Sequence, residues 1–218
     1  MNNILLDDLP CEWNGYILNT WFQIGVQLSL LQEDDDISDM ERTEFMIRLL
    51  FENADGSIRE FPQPMEELEQ CVKWFVNGWY LDNVVESEKK EIRMMDYDID
   101  QWRIYADFLQ IYHIDLAVSD MHWWMFQGLL WNMPVEQSSF MQCLEIRQKK
   151  PRKGASAAEK KAIEMGHKRF DLKPKRKQNK TYSTEEEKKI DAYDEMMAKA
   201  KQKKNAGNES LAEFKKQL

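Results

Sequence analysis

The chain has 218 residues, of which 43% are hydrophobic and 32% charged, and its formal net charge is −9. A chain of this length suits one domain with an appendage and can bury a substantial core. No stretch approaches roughly 18 uninterrupted apolar residues, and no basic region precedes the short apolar run at the amino terminus. We therefore expect no membrane span and no secretory signal. Cys11, Cys71 and Cys143 form no CxxC pair, which predicts reduced thiols in a cytoplasmic protein.

Charge is divided unevenly along the chain. Residues 147–218 hold 22 Lys and Arg against 11 Asp and Glu, a net of +11, whereas residues 1–146 hold 8 against 28, a net of −20. Large aromatic side chains are also rare in the basic part. We therefore predict an acidic helical body over residues 1–147 and a flexible, basic, partly helical arm over residues 148–218.

The amino-terminal part of the body contains the clearest β signal. Asn14-Gly15 is the favoured pair for a two-residue turn, because both positions need a positive φ, and it predicts a small hairpin. Asn19 or Thr20 is then expected to cap a helix that runs to about Leu31.

Two further helices are predicted before residue 80. Ser38 and Glu41 form a capping box, and the helix that they open is expected to bury Phe45, Met46, Leu49 and Leu50. Pro62 and Pro64 introduce the next helix. Its apolar residues recur at helical spacing on one face: Leu68, Cys71, Val72, Phe75, Val76 and Trp79.

The centre of the body is predicted to be a pair of helices. Asp98 is expected to cap the first, which runs to about Ile111, and Ser119 or Asp120 to cap the second, which Pro134 ends. The large side chains of the second helix cover nearly its whole circumference, which is typical of a buried helix. The predicted core residues of the pair are Trp102, Trp123, Trp124, Phe126 and Leu130. Gly128 costs about 1 kcal/mol in a helix, which a close helix crossing would offset.

A last amphipathic face follows Pro134, formed by Phe140, Cys143, Leu144 and Arg147. The body is therefore predicted to be mainly α, a compact bundle of about six helices with a small N-terminal β-hairpin. In the arm, Ser156 is expected to cap a helix to about Gly166, and Ser183 with Glu186 a longer helix to about Lys204. The candidate partner-binding residues are the apolar stripe of that longer helix: Ile190, Tyr193 and Met197.

No catalytic, cofactor-binding or metal-binding residues are predicted. The chain has no phosphate-binding glycine loop, no nucleophile elbow and no HExxH motif, so an enzyme is not expected. Asp96, Asp98 and Asp100 imitate the start of a calcium loop, but the required glycine and closing glutamate are missing. His113 and His122 lack the spacing of a metal site. We expect His122 to be packed, with a ring nitrogen bonded to an aspartate or a backbone carbonyl.

Residues 97–134 resemble the bacteriophage gene-product-fifteen family of long-tailed phages and prophages of Gram-positive bacteria. Three segments and a closing proline carry the resemblance: Tyr97-Asp98-Ile99-Asp100, Tyr112-His113-Ile114-Asp115-Leu116, Met121-His122-Trp123-Trp124-Met125-Phe126 with Leu129 and Leu130, and Pro134. It extends back to the start of the chain and fades after about residue 147. The resemblance implies a tail-assembly chaperone of the host bacterial cytoplasm. Such a protein keeps the tape-measure protein soluble and helps to recruit tail-tube subunits, without remaining in the virion.

We hypothesise that the arm contacts the tape-measure protein while the acidic body forms a homo-oligomer or recruits tube subunits. The alternative is non-specific nucleic-acid binding through the basic arm, which would be strongly salt-dependent. The acidic body opposes that alternative, and no aromatic residues interleave with the basic clusters to stack on bases. Nucleic acid is therefore not an expected partner.

Overall fold

The computed structural model describes residues 4–78 and 94–172, and parts of the arm between residues 183 and 199. The chain divides into two units. The first unit consists of Met1–Glu33 and Ile47–Lys175, and the second consists of Asp34–Met46 and Arg176–Leu218. The mainly α prediction is confirmed. Described residues 4–78 and 94–172 contain seven α-helices, one π-helix and one hairpin, and described residues between 185 and 199 are also helical. None of the helices in the described segments is long and apolar enough to cross a membrane.

The predicted hairpin is present, with β1 at Glu12–Trp13 and β2 at Tyr16–Ile17, paired antiparallel. Asn14 has φ +49° and Gly15 has φ +88°, the positive values that a two-residue turn of this kind requires. Asn19 does not cap the next helix. Its side-chain amide donates instead to the carbonyls of residues 49 and 52, at 3.1 and 3.0 Å.

The first six α-helices are α1 (Phe22–Gln32), α2 (Asp39–Phe51), α3 (Met65–Asn77), α4 (Tyr97–Asp107), α5 (Trp123–Trp131) and α6 (Ser139–Gln148). A π-helix at Phe108–Tyr112 continues α4, and α7 spans Ala157–Phe170. The α2 prediction is wrong at Phe45, which is 48% exposed, while Leu50 and Phe51 are fully buried. Trp79, predicted on the apolar face of α3, lies outside the described residues.

Two predicted helix caps are replaced by neighbouring residues. Asp96, not Asp98, caps α4, because its Oδ1 accepts from the backbone N–H groups of residues 98 and 99. His122, not Ser119 or Asp120, caps α5, since its Nδ1 accepts from Trp124 N at 3.0 Å.

The core of the first unit is aromatic and centred on α5. Trp123, Trp124, Phe126 and Leu130 are 1%, 7%, 1% and 0% exposed. Phe126 stacks on Phe22 of α1 at 4.9 Å between ring centroids, and the indole N–H of Trp124 donates to the carbonyl of residue 75 at 2.8 Å. Burial of each such ring removes roughly 150–250 Å² from water, which stabilises the packing of α1 and α3 against α5.

The close helix crossing expected at Gly128 is not found there, and two other glycines contact the indoles of α5 instead. A Cβ built at Gly128 meets nothing within 4 Å, whereas one built at Gly25 of α1 would collide with the indole of Trp123. Gly78, after α3, meets the indole of Trp124 in the same way. The glycines that permit close approach are therefore on the neighbours of α5 and not on α5 itself.

The body extends beyond the predicted boundary at residue 147. Ser156 caps α7 as predicted, with its Oγ accepting from Glu159 N at 3.1 Å, but α7 continues to Phe170. Arg147 Nε donates to the carbonyl of Phe170 at 2.6 Å. This contact and the packing of α6 on α7 keep residues 157–170 within the first unit.

The second unit contains both remaining predicted capping boxes. Ser38 N donates to Glu41 Oε2 at 2.9 Å, and Ser183 N donates to Glu186 Oε2 at 2.8 Å. The hydroxyls of Thr43 and Tyr193 lie 2.6 Å apart and share a hydrogen bond. The helix predicted after Ser183 is therefore present in its described residues.

Candidate functional site

Helix α4 and the π-helix that continues it turn an apolar stripe outward. The stripe, called here the α4 outer stripe, consists of four exposed residues at i, i+3, i+7 and i+10: Ile99, Trp102, Ala106 and Leu109. Trp102 is 74% exposed, so its assignment to the core is wrong. The face packed inward carries Ile104 and Phe108, which are 4% and 0% exposed.

The inward face of α4 also carries carboxylates, and their partners explain its orientation. Asp100 is fully buried. Arg147 of α6 binds it in two places, from Nη1 to Oδ2 at 2.7 Å and from Nη2 to Oδ1 at 2.9 Å. Arg103 adds a bond to Oδ1 at 3.1 Å. A buried carboxylate is tolerated only with such partners, so the arginine pair holds the polar face of α4 inward and leaves the outer stripe in solvent.

Arg147 links three parts of the first unit. Besides Asp100 and the carbonyl of Phe170, it binds the carbonyl of Met94 at 2.9 Å. Burial acts to lower the pKa of Arg147, but the hydrogen bonds and charge of Asp100 outweigh burial and raise it. This arginine, the last residue of the predicted body, is therefore charged and bound within the first unit.

Asp107 fixes the start of α6. It is 2% exposed, and its Oδ2 accepts from the hydroxyl of Ser138 at 2.6 Å and from Phe140 N at 2.8 Å. Its Oδ1 accepts from Ser139 N at 3.1 Å. A carboxylate at a helix N-terminus binds the free backbone N–H groups and is favoured by the helix dipole. The two buried aspartates of α4 thus both bind α6.

A cavity of about 450 Å³ opens beside Trp102 and is called here the Trp102 groove. Its described lining is apolar or aromatic except for Gln101, and comes from α1, α4, α5 and the loop after the π-helix: Phe22, Val26, Tyr97, Gln101, Trp102, Ile104, Tyr105, Leu116, Ala117 and Phe126. Clefts that bind ligands have volumes of roughly 300–1,000 Å³ and a similar apolar lining. The groove is therefore large enough to take several side chains of a partner.

Two tyrosines supply the hydroxyl groups of the lining. Tyr97 accepts from the side-chain amide of Gln127 at 2.8 Å, and burial raises the pKa of Tyr97. The hydroxyl of Tyr105 donates to Asp115 Oδ1 at 3.1 Å, and this bond together with the negative charge raises the pKa of Tyr105. Both phenols are therefore neutral at neutral pH.

Negative charges lie close to both tyrosines of the groove. Asp115 contacts Tyr105 as described, and the charge of Glu33 contributes to the raised pKa of Tyr97. Asp98 is exposed, and its carbonyl accepts from the side chain of Gln101 at 2.7 Å. The groove therefore combines an apolar lining with carboxylates close to its two tyrosines.

His122 supports α5 from the hairpin side. Its Nε2 lies 3.0 Å from the carbonyl of Pro10, while Nδ1 accepts from Trp124 N. The proton is therefore on Nε2, and the prediction of a bond to a backbone carbonyl is confirmed. Burial lowers the pKa of His122. Within the described ranges, no group of three His, Cys, Asp or Glu side chains could hold a metal ion.

The predicted partner-binding residues lie in the second unit. Ile190 and Tyr193 are half-buried, and the hydroxyl of Tyr193 is engaged by Thr43. Met197 lies outside the described residues. Their role in binding stays a prediction.

The groove residues were missed because α4 has apolar residues on both faces. One stripe contains Trp102, and the other contains Ile104 and Phe108. The signal that distinguishes them is the pair Asp100 and Asp107 on the second stripe. Their arginine and helix-terminus partners are distant in the sequence, so the pattern of α4 alone cannot identify the inward face.

The comparison with protein-family models identifies the class of protein. Residues 5–172 match the model described as Bacteriophage Gp15 protein, so this is a phage protein. The chain belongs to the Bacteriophage Gp15 protein family, and the match reaches the end of α7, beyond the limit near residue 147 that the resemblance suggested. No curated protein and no solved structure matches the chain.

Proposed function

We propose that the protein is a tail-assembly chaperone that binds apolar helical segments of the tape-measure protein at the α4 outer stripe and the Trp102 groove. The observation that carries the proposal is the exposed stripe, in which an indole 74% in solvent stands beside an apolar cleft. Exposed apolar patches rimmed by polar residues are typical of protein-binding surfaces. Membership of a phage protein family supplies the biological context.

The mode of binding that fits this surface is a helix lying in a groove. An amphipathic helix presents anchors at i, i+3, i+4 and i+7 to such a cleft. Tryptophan is enriched among the residues that contribute most to binding, and Trp102 is positioned to pack along the apolar stripe of the client. Covering that stripe keeps a long helical chain soluble until the tail tube is assembled around it.

The remaining parts of the proposal concern the arm and the place of action. Ile190, Tyr193 and Met197 give the client a second point of contact, and the acidic body forms a homo-oligomer or recruits tail-tube subunits. The protein acts in the host bacterial cytoplasm, without catalysis, and leaves before the virion is complete.

Co-expression with the tape-measure protein of the same phage tests the proposal. The wild-type chain is expected to keep the client in the soluble fraction, and Trp102→Ala to lose most of it to the pellet. Met165→Ala, at a residue of α7 that is 62% exposed, is the matched control and is expected to behave as wild type. Both substitutions should change the free energy of unfolding by less than about 0.5 kcal/mol, because they are at the surface.

Two results would overturn the proposal: an insoluble client with the wild-type chain, or an equally soluble client with Trp102→Ala. The arm is tested separately by Ile190→Asp in the full-length chain. Reduced solubility of the client with this variant supports contact through the arm. Unchanged solubility assigns the binding to the body alone.

A further inference from the structure

The Trp102 groove has a direction, because three of its lining residues follow one another along α4. Tyr97, Gln101 and Tyr105 are spaced at i, i+4 and i+8 and lie on one side of the helix. Eight residues of an α-helix span about 12 Å. The groove therefore runs along α4 for about two turns. Over this length a partner helix presents three or four apolar side chains on one face.

Negative charge lies at both ends of this span. At the Tyr97 end are Glu33, whose charge acts to raise the pKa of Tyr97, and Asp98, which is exposed and precedes Gln101 by three residues on α4. At the Tyr105 end is Asp115, which the tyrosine hydroxyl and Ala117 N hold at 3.1 and 2.9 Å. The two acidic ends are therefore about two helical turns apart.

Among the lining residues that the structure describes, none has a basic side chain. The nearest in sequence is Arg103, next to Trp102, and its side chain faces the other way. It binds Asp100 Oδ1 at 3.1 Å and lies 5.6 Å from the ring centroid of Phe170. The negative potential at the groove is therefore not neutralised by the arginine closest to it in the chain.

We infer that the Trp102 groove selects a basic amphipathic helix, with apolar anchors in the cleft and Lys or Arg seven or eight positions apart facing the two acidic ends. This inference rests on the proposed function and adds the charge of the client segment. Charge complementarity suppresses wrong partners and speeds association more than it tightens binding. The groove would thus distinguish basic helical segments of a client from acidic ones with the same apolar stripe.

Three synthetic helical peptides test the inference on the full-length chain. They share one apolar stripe and differ only in a flanking pair seven positions apart, which is Lys, Gln or Glu. Exposed ion pairs contribute roughly 0.2–1 kcal/mol each, so the Kd of the Glu peptide is expected to be about ten-fold above that of the Lys peptide at low salt. Fluorescence anisotropy measures each Kd, and the difference should vanish near 1 M salt, where the Debye length is about 3 Å.

The double variant Asp98→Asn, Asp115→Asn tests whether these carboxylates are the source of the preference. Asparagine can still accept from Tyr105 and Ala117, so the loop geometry is kept while the charge is lost. The Lys peptide is expected to lose most of its advantage, and the Gln peptide to bind as it does to the wild type. An unchanged preference in this variant would overturn the inference.

The two proposals fail in different ways. If Trp102→Ala raises the Kd of all three peptides equally, and the wild-type chain binds the three with the same Kd, the groove binds helices but the charge inference is overturned. If Trp102→Ala binds every peptide as tightly as wild type, the groove is not the docking site and both proposals are overturned.

Discussion

Replacing glycine by alanine in α1 and in α5 should have opposite effects on stability. At Gly25 of α1, an added Cβ would overlap the Cδ2 and Cε3 atoms of Trp123, far closer than the 3.5–4.0 Å or so at which carbon atoms pack. At Gly128 of α5, a Cβ meets nothing within 4 Å. The same chemical change therefore tests whether α1 and α5 cross as closely as described.

The size of each effect follows from what surrounds the site. Trp123 is 1% exposed, and its indole N–H donates to the carbonyl of Val76 at 3.2 Å, so it cannot move aside without breaking other contacts. Overpacking of this kind costs about 1–3 kcal/mol, occasionally more. We expect Gly25→Ala to cost about 3 kcal/mol despite the gain in helix propensity. Gly128→Ala should add up to about 1 kcal/mol, since alanine favours the helix by that amount.

Thermal unfolding followed by circular dichroism measures both effects. For a chain of this size, 1 kcal/mol corresponds to about 2–4 °C in Tm. Gly25→Ala is therefore expected to lower Tm by about 6–12 °C, and Gly128→Ala to raise it by up to about 4 °C. A Gly25→Ala chain as stable as wild type would refute the close crossing of α1 and α5.

Three further predictions concern buried polar groups and the groove surface. Arg147→Met leaves Asp100 with one arginine, and breaking a buried pair costs about 3–5 kcal/mol. This loss is measured as a lower midpoint of urea unfolding. A loss of less than about 1 kcal/mol would contradict the role of Arg147 in holding the inward face of α4. The pKa of His122 is lowered in the folded state, so the unfolded chain takes up its proton first as the pH falls below about 6.5. Stability should therefore decline from pH 7 toward the lowered pKa, and His122→Gln should flatten this part of the plot of stability against pH. An unchanged slope in the variant would contradict the lowered pKa of His122. Trp102→Ala should leave the urea midpoint within error of wild type; a large loss would mean that the indole packs in the core.

Local sequence signals predicted those features whose cause is local. The turn at Asn14-Gly15 depends on two residues with positive φ, and the capping boxes at Ser38 and Ser183 depend on side chains three residues apart. The stripe of α3 was also predictable, because only one of its faces is apolar. In each case the residues that decide the structure are neighbours in the sequence.

The predictions that were wrong concern features that depend on residues far apart in the sequence. The inward face of α4 is decided by Arg147, 47 positions after Asp100. The extension of the body past residue 147 depends on the bond between Arg147 and Phe170. The sequence of a helix with two apolar stripes does not show which stripe packs against the rest of the protein. The candidate site lies on α4, and Trp102 belongs to the stripe that faces solvent. Because the sequence does not distinguish the two stripes, Trp102 was assigned to the core.

Site-specific photo-crosslinking tests most directly whether the Trp102 groove is where the client docks. A photoreactive phenylalanine replaces Gln101, which is exposed and lines the groove, or Met165 on α7 as the control. Each variant is co-expressed with the tape-measure protein and irradiated in cells. We expect the tape-measure protein to crosslink to position 101 and not to position 165. Equal crosslinking at the two positions, or none at position 101, would contradict the account.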